Sequence, residues 1–158
     1  MKIEAEALLQ RLVDESDILR VISEIDQAVD EKDWPRVRKH FEDTVTLDLP
    51  TLGGFAKTMS ADEFVRAVAS SNFAEKKTYH GRLNAVIDIE GDSAESRCHM
   101  YGWNFLSEMS PPFWEMWGQF FYKLRRTGGG WKVHFLRQTK FHERGNPAVG
   151  TALPKSTA

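Results

Sequence analysis

The chain has 158 residues, 41% of them hydrophobic and 28% charged, with a net charge of −2 and an isoelectric point near 6.2. That length is close to the ~150 residues of a typical single domain, and the composition is that of an ordinary globular protein. The balance of 21 Lys and Arg against 23 Asp and Glu leaves no basic stripe for nucleic acid, and a single cysteine, Cys98, excludes a disulfide framework.

In chain order, Leu8, Leu9, Leu12 and Val13 predict a first helix over about 2–13. Its acid-rich start is expected to be neither a signal peptide nor a membrane span. Ile18, Ile22, Ile25 and Val29 recur at spacings of four, three and four, a helical period with a wide apolar face. Lys32-Asp33-Trp34-Pro35 breaks that pattern. Asp33 can cap a short helix over about 34–41, and Pro35 is tolerated in its first turn. A strand over 44–49 follows and is ended by Pro50 and Gly53-Gly54. Ser60-Ala61-Asp62-Glu63 has the form of a capping box and opens a helix to about residue 70, with Phe64, Val65 and Val68 inward.

Four long strands complete the domain: 76–89, 94–108, 113–126 and 131–141. Glu90-Gly91-Asp92-Ser93 closes the first hairpin, Ser110-Pro111-Pro112 separates the middle strands, and Thr127 with three glycines makes the last turn. Helices followed by a meander predict an α+β fold with the helices on one face of an antiparallel sheet. The expected domain spans residues 1–144. Residues 145–158, rich in Gly, Pro, Ser, Thr and Ala, are expected to form a loose tail.

Strand alternation sorts the side chains. His99, Tyr101, Trp103 and Phe105 share one face of their strand, and Cys98, Met100, Gly102 and Asn104 share the other. Tyr101, Trp103, Phe105 and Phe120 are the expected walls of an apolar pocket, with His99 on the same face as the first three. Both faces of the strand over 113–126 carry large apolar groups. A sheet covered by helices on one side needs only one such face, so Trp117 and Phe121 are expected at a contact between copies in a homodimer or homotrimer. No His-x-His, His-Glu-x-x-His or Cys-x-x-Cys spacing predicts a metal site, and no glycine-rich phosphate loop predicts a nucleotide. The expected partner is a small hydrophobic substrate, with no cofactor, no nucleic acid and no membrane, and the expected compartment is the cytoplasm.

Several strings look familiar in combination. They are residues 30–39 from Asp30 through Trp34-Pro35, Met59-Ser60-Ala61-Asp62-Glu63-Phe64-Val65 with Ser70-Ser71, Thr78-Tyr79-His80, and Gly130-Trp131-Lys132. In this order and at these spacings the chain resembles the SnoaL-like branch of the nuclear-transport-factor-2 superfamily and, within it, the scytalone dehydratases. The likeness runs from about Ile22 to Phe141. It implies a cone-shaped α+β barrel and a cofactor-free lyase or isomerase, with His80 as general base and Asp30 orienting it. It also implies a small, hydrophobic, cyclic substrate such as a polyketide- or steroid-like compound. Val29 and Leu49 stand where those dehydratases carry water-positioning tyrosines, which makes Leu49 a substrate-contact position. Phe105 falls near a second pocket histidine, and Gly118 and Phe120 near a serine and an asparagine. These departures imply a more apolar ligand. A non-catalytic ligand-binding or assembly module of the same fold is the alternative.

Overall fold

The computed structural model describes residues 2–154, with Lys2 and Ile3 described by their backbone alone. The first element is one helix, α1 (Lys2–Asp30), in place of a helix ending near residue 13. Nothing in residues 2–30 breaks a helix, since the segment contains neither Gly nor Pro. Asp14, within the polar run, belongs to the buried side. Asp14 accepts from both terminal nitrogens of Arg126 at 2.6 and 2.7 Å and from the Trp131 indole at 3.2 Å. These bonds clamp the middle of α1 to the sheet. Beyond the clamp, Ile18, Ile22, Ile25 and Val29 are buried, as the periodicity requires.

Lys32, in the left-handed region at φ 63°, turns the chain out of α1. Asp33 caps α2 (Trp34–Arg38) by accepting from the Arg36 amide at 3.1 Å. β1 (Phe41–Leu49) and β2 (Phe55–Ser60) form a hairpin around Gly53 and Gly54, both at positive φ. β2 is an exposed edge strand with no apolar alternation to announce it. Ser60 then caps α3 (Ala61–Ser71) through the Glu63 amide, while the Glu63 carboxylate accepts from Lys57.

The meander is β3 (Lys77–Glu90), β4 (Ser93–Phe105), β5 (Phe113–Thr127) and β6 (Gly130–Gly145). The sheet order is β2-β1-β6-β5-β4-β3. All neighbours pair antiparallel except β1 with β6, which run parallel, so the curved sheet is mixed and not purely antiparallel. The parallel pair follows from connectivity: β1 enters early and the end of the meander returns beside it. The core lies between α1, α2 and α3 and one face of the sheet, with Phe41, Val45, Tyr122, Leu124 and Val133 fully enclosed.

The expected loose tail is docked over its first part. α4 (Pro147–Thr151) buries Val149 completely, and Lys76 donates to the Gly150 carbonyl at 2.9 Å. Residues 155–158 of that tail lie outside the described residues. No helix among the described residues is long and apolar enough to cross a membrane.

Candidate active site

Two residues on α1 and two on β3 set the site. Asp26 and Asp30 stand four apart, hence on one face of the helix with a rise between them of about 6 Å. His80 and Arg82 stand two apart, hence on one face of the strand and about 6.7 Å apart. The two repeats match. As α1 crosses β3, Asp30 meets His80 and Asp26 meets Arg82.

Asp30 holds His80 at two points. Its Oδ1 lies 2.6 Å from the ring Nδ1, and its Oδ2 accepts from the His80 backbone N–H at 2.8 Å. An ionised carboxylate only accepts, so a proton sits on Nδ1, and it is the other ring nitrogen, Nε2, that is left for a substrate. Burial pushes the Asp30 carboxyl up, but the hydrogen bonds and charge of His80 outweigh it and hold the group below the usual range. Lys32 reaches the same corner and donates to Thr78 Oγ1 at 2.8 Å.

His80 lines a cavity of about 520 Å³ between the helices and the sheet. Val29, Leu49, Met59, Phe64, Val68 and Phe120 give it an apolar wall. One set of polar groups is His80, Asp26, Arg82, Tyr122 and Gln138, and Lys57, Glu63, Ser71 and Asn72 line the cavity as well. Arg82 forms an ion pair with Asp26, a terminal nitrogen 2.7 Å from Oδ1, and donates from Nε to the Tyr122 hydroxyl at 3.0 Å. Its guanidinium lies 3.8 Å from the centre of the Phe120 ring. An apolar chamber with a few grouped polar side chains is the general form of a small-molecule site.

Asp30, His80, Leu49 and Phe120 therefore come together, but Tyr101, Trp103, Phe105 and His99 do not join them. The alternation assigned to β4 holds. The helices, however, cover the face of Cys98, Met100, Gly102 and Asn104, all buried, and leave the aromatic face outward. There Tyr101 donates to Glu115 at 2.8 Å, Trp103 stacks on Phe105, and His99 lies near Asn84. A second hollow on this outer face is lined by Tyr79, His99, Tyr101, Trp117 and Phe141, away from the dyad. Burial pushes the Cys98 thiol up to about 11, which removes it as a nucleophile. Among the described residues, no group of three or more His, Cys, Asp or Glu side chains is placed to hold a metal ion.

Asp26, Arg82 and Tyr122 escaped the sequence reading. Their signal was available as a pair of matched repeats, Asp26/Asp30 at helical spacing and His80/Arg82 at strand spacing, each beside a buried stripe.

Solved structures share this architecture. A candidate scytalone dehydratase from Novosphingobium aromaticivorans is 17% identical, with a TM-score of 0.76 over 86% of this chain and 89% of that one. An NTF2-like protein with a cystatin-like fold from the same organism is 18% identical, with a TM-score of 0.74 over 93% of each chain. A hexachlorocyclohexane dehydrochlorinase, LinA type 2, is 16% identical, with a TM-score of 0.71 over 93% of this chain and 98% of that one. No curated protein matches the chain by sequence. These likenesses establish the fold, the NTF2-like cone. The SnoaL-like domain model matches residues 10–137, the span that holds most of α1, the dyad and the sheet up to the middle of β6, and the chain belongs to the SnoaL-like family.

Proposed function

We propose that the chain is a cofactor-independent lyase or isomerase that acts on a small, hydrophobic, cyclic substrate of polyketide- or steroid-like character. His80 Nε2 takes a carbon-bound proton and later returns it. Asp30 fixes the tautomer and stabilises the imidazolium that forms. The observation that carries this is the two-point grip of Asp30 on His80 at the wall of an apolar cavity. A base held at both its backbone and its ring loses little freedom when substrate arrives, which is the condition for positioned proton transfer. The family and the dehydratase and dehydrochlorinase neighbours support elimination chemistry on this scaffold.

The test is solvent deuterium exchange into a panel of cyclic ketones and enones, followed by mass spectrometry. The parent protein exchanges label. His80→Ala lowers the rate by about 10²–10⁴. Asp30→Asn lowers it less, and the double variant falls little below His80→Ala, because the two residues act as one unit. The apolar lining at Val29, Leu49 and Phe120 also suits a second reading, a hydrophobic-ligand-binding or small-subunit assembly module. A His80→Ala protein that exchanges at the parent rate leaves only that one.

A further inference from the structure

The polar end of the cavity holds more than the dyad needs. Arg82 is a buried cation, permanently charged, with five N–H groups in a fixed fork. One goes to Tyr122, one makes a long contact of 3.5 Å with the Gly81 carbonyl, and a terminal nitrogen stands 2.7 Å from the Asp26 carboxylate as an ion pair. The Phe120 ring lies against the guanidinium plane. Arg82 is thus fixed in position by a carboxylate, a hydroxyl and an aromatic face, and still lines the cavity with N–H groups to spare. Burial pushes the Asp26 carboxyl up against the pull of Arg82, and Asp26 also feels the charges of His80 and Asp30. The two pairs are therefore parts of one electrostatic unit.

We propose that Arg82 is the oxyanion-binding residue of this cavity, and that the substrate is a carbonyl compound, a ketone or an enone, whose acidic C–H lies α to the carbonyl or in conjugation with it. The inference rests on His80 as the base and names the chemistry it serves. His80 and Arg82 project from alternate positions of one strand, about 6.7 Å apart. Both line the same cavity, so the proposal places one C–C–O unit of the substrate between them. His80 Nε2 takes the proton, the C–H bond breaks, and its electron pair moves through the carbonyl to give an enolate oxygen. The spare N–H groups of Arg82 receive that oxygen. When the pair returns, it either expels a β-hydroxyl, which leaves as water with the proton from His80, or takes the proton back at a different carbon. The first outcome is dehydration and the second isomerisation, and neither needs a further reactant. With Asp26 as counter-ion, Arg82 offers directed donors more than net charge. Donors held in place before the reaction favour charge that develops in the transition state.

The probe is 4-nitrophenol, colourless when neutral and yellow as its phenolate, titrated into protein in mildly acidic buffer with nitrobenzene as the uncharged reference. The expected result is that the parent binds the yellow form and prefers 4-nitrophenol over nitrobenzene by about ten- to a hundredfold, the worth of a charge-assisted hydrogen bond. Arg82→Met abolishes the yellow form and the preference. The double variant Asp26→Asn/Arg82→Met does the same without stranding a buried carboxylate, so a folding failure of the single variant decides nothing alone. A parent that binds only the colourless form overturns the proposal, and so does a double variant that keeps the parent's preference. If His80→Ala loses the phenolate and the arginine variants keep it, the anion belongs to His80, and this inference fails while the general-base reading stands. If no ketone exchanges deuterium but the arginine-dependent phenolate remains, the general-base reading fails and the anion site stands.

Discussion

His40 is the histidine whose surroundings decide stability and not chemistry. It follows α2, it is buried, and its Nε2 has no hydrogen-bond partner among the described residues. Burial, with Lys39 beside it, lowers its pKa from 6.5 to about 4. The folded state thus binds the proton less well than the unfolded state. The stability this contributes is complete above pH 6.5 and is lost as pH falls through about 4. A shift of this size corresponds to about 3 kcal/mol. Urea unfolding across this window should show the parent weakening with acid, and His40→Gln should flatten the slope by about one proton. Carboxylates held low by cationic partners, such as Asp14 at about 2, titrate below that window, and Asp26, pushed up by burial, and His134, pushed down by burial, are common to parent and variant and cancel in their difference. At the same scale, Asp30 and His80 were legible from the sequence through the resemblance, and the outer-face aromatics misled. Tyr101, Trp103 and Phe105 are the bulkiest groups of β4, and bulk alone suggests a pocket wall. Which face of a strand the helices cover is set by the crossing of α1, which alternation does not reveal.

Among the elements, those with a strong period or cap were legible: the stripe of α1, the caps of α2 and α3, and the Gly91 turn between β3 and β4. β2 and α4 were not, because their placement depends on partners distant in sequence. α4 is held by such a partner. Lys76, 1% exposed, donates to the Ser71 carbonyl at the end of α3 and to the Gly150 carbonyl in α4, and so joins the two helices through one ammonium group. Gly150 itself lies against the Trp114 indole, where an added Cβ would sit 2.4 Å from the ring carbons. The indole cannot yield easily, since its N–H donates to Glu143 at 2.8 Å. Gly150→Ala should therefore undock α4 or strain the core. The expected cost is about 1–3 kcal/mol, the usual range for overpacking. Gly128→Ala, where an added Cβ meets nothing within 4 Å, is the control. Thermal melts and limited proteolysis after Gly145 would separate the two variants. Equal melting points and equal protection would show that α4 contributes nothing to the fold.

For the whole molecule, the decisive asymmetry is that all the helices that touch the sheet lie on one side of it. Asp14, Asp26 and Val149, from the first and last helices, are all buried against its inner face. The outer face exposes Tyr79, Leu83, Val86 and Phe141, with Tyr101, Trp103, Trp117 and Phe121 half-buried among them. We infer that a second copy of this chain covers that face. The charges there favour an identical partner: Glu115 pairs with Arg144, Glu95 with Lys123, Asp88 with Arg97 and Asp48 with Arg137. Each of these four cations is matched within its own copy, which limits like-charge repulsion where two such faces meet, while the aromatic centre supplies the apolar area. A stable contact needs about 800 Å² from each partner, which an uncovered six-stranded face can provide. Light scattering at micromolar concentration should give a dimer or a trimer. Leu83→Lys with Phe141→Lys replaces two side chains that are 55% and 63% exposed in the single copy, so the fold should survive and the assembly should not. The cavity lies on the opposite side of the sheet, so deuterium exchange into a ketone should persist in the dissociated variant. A monomeric parent, or a variant that remains assembled, would show that the aromatic face is not the contact.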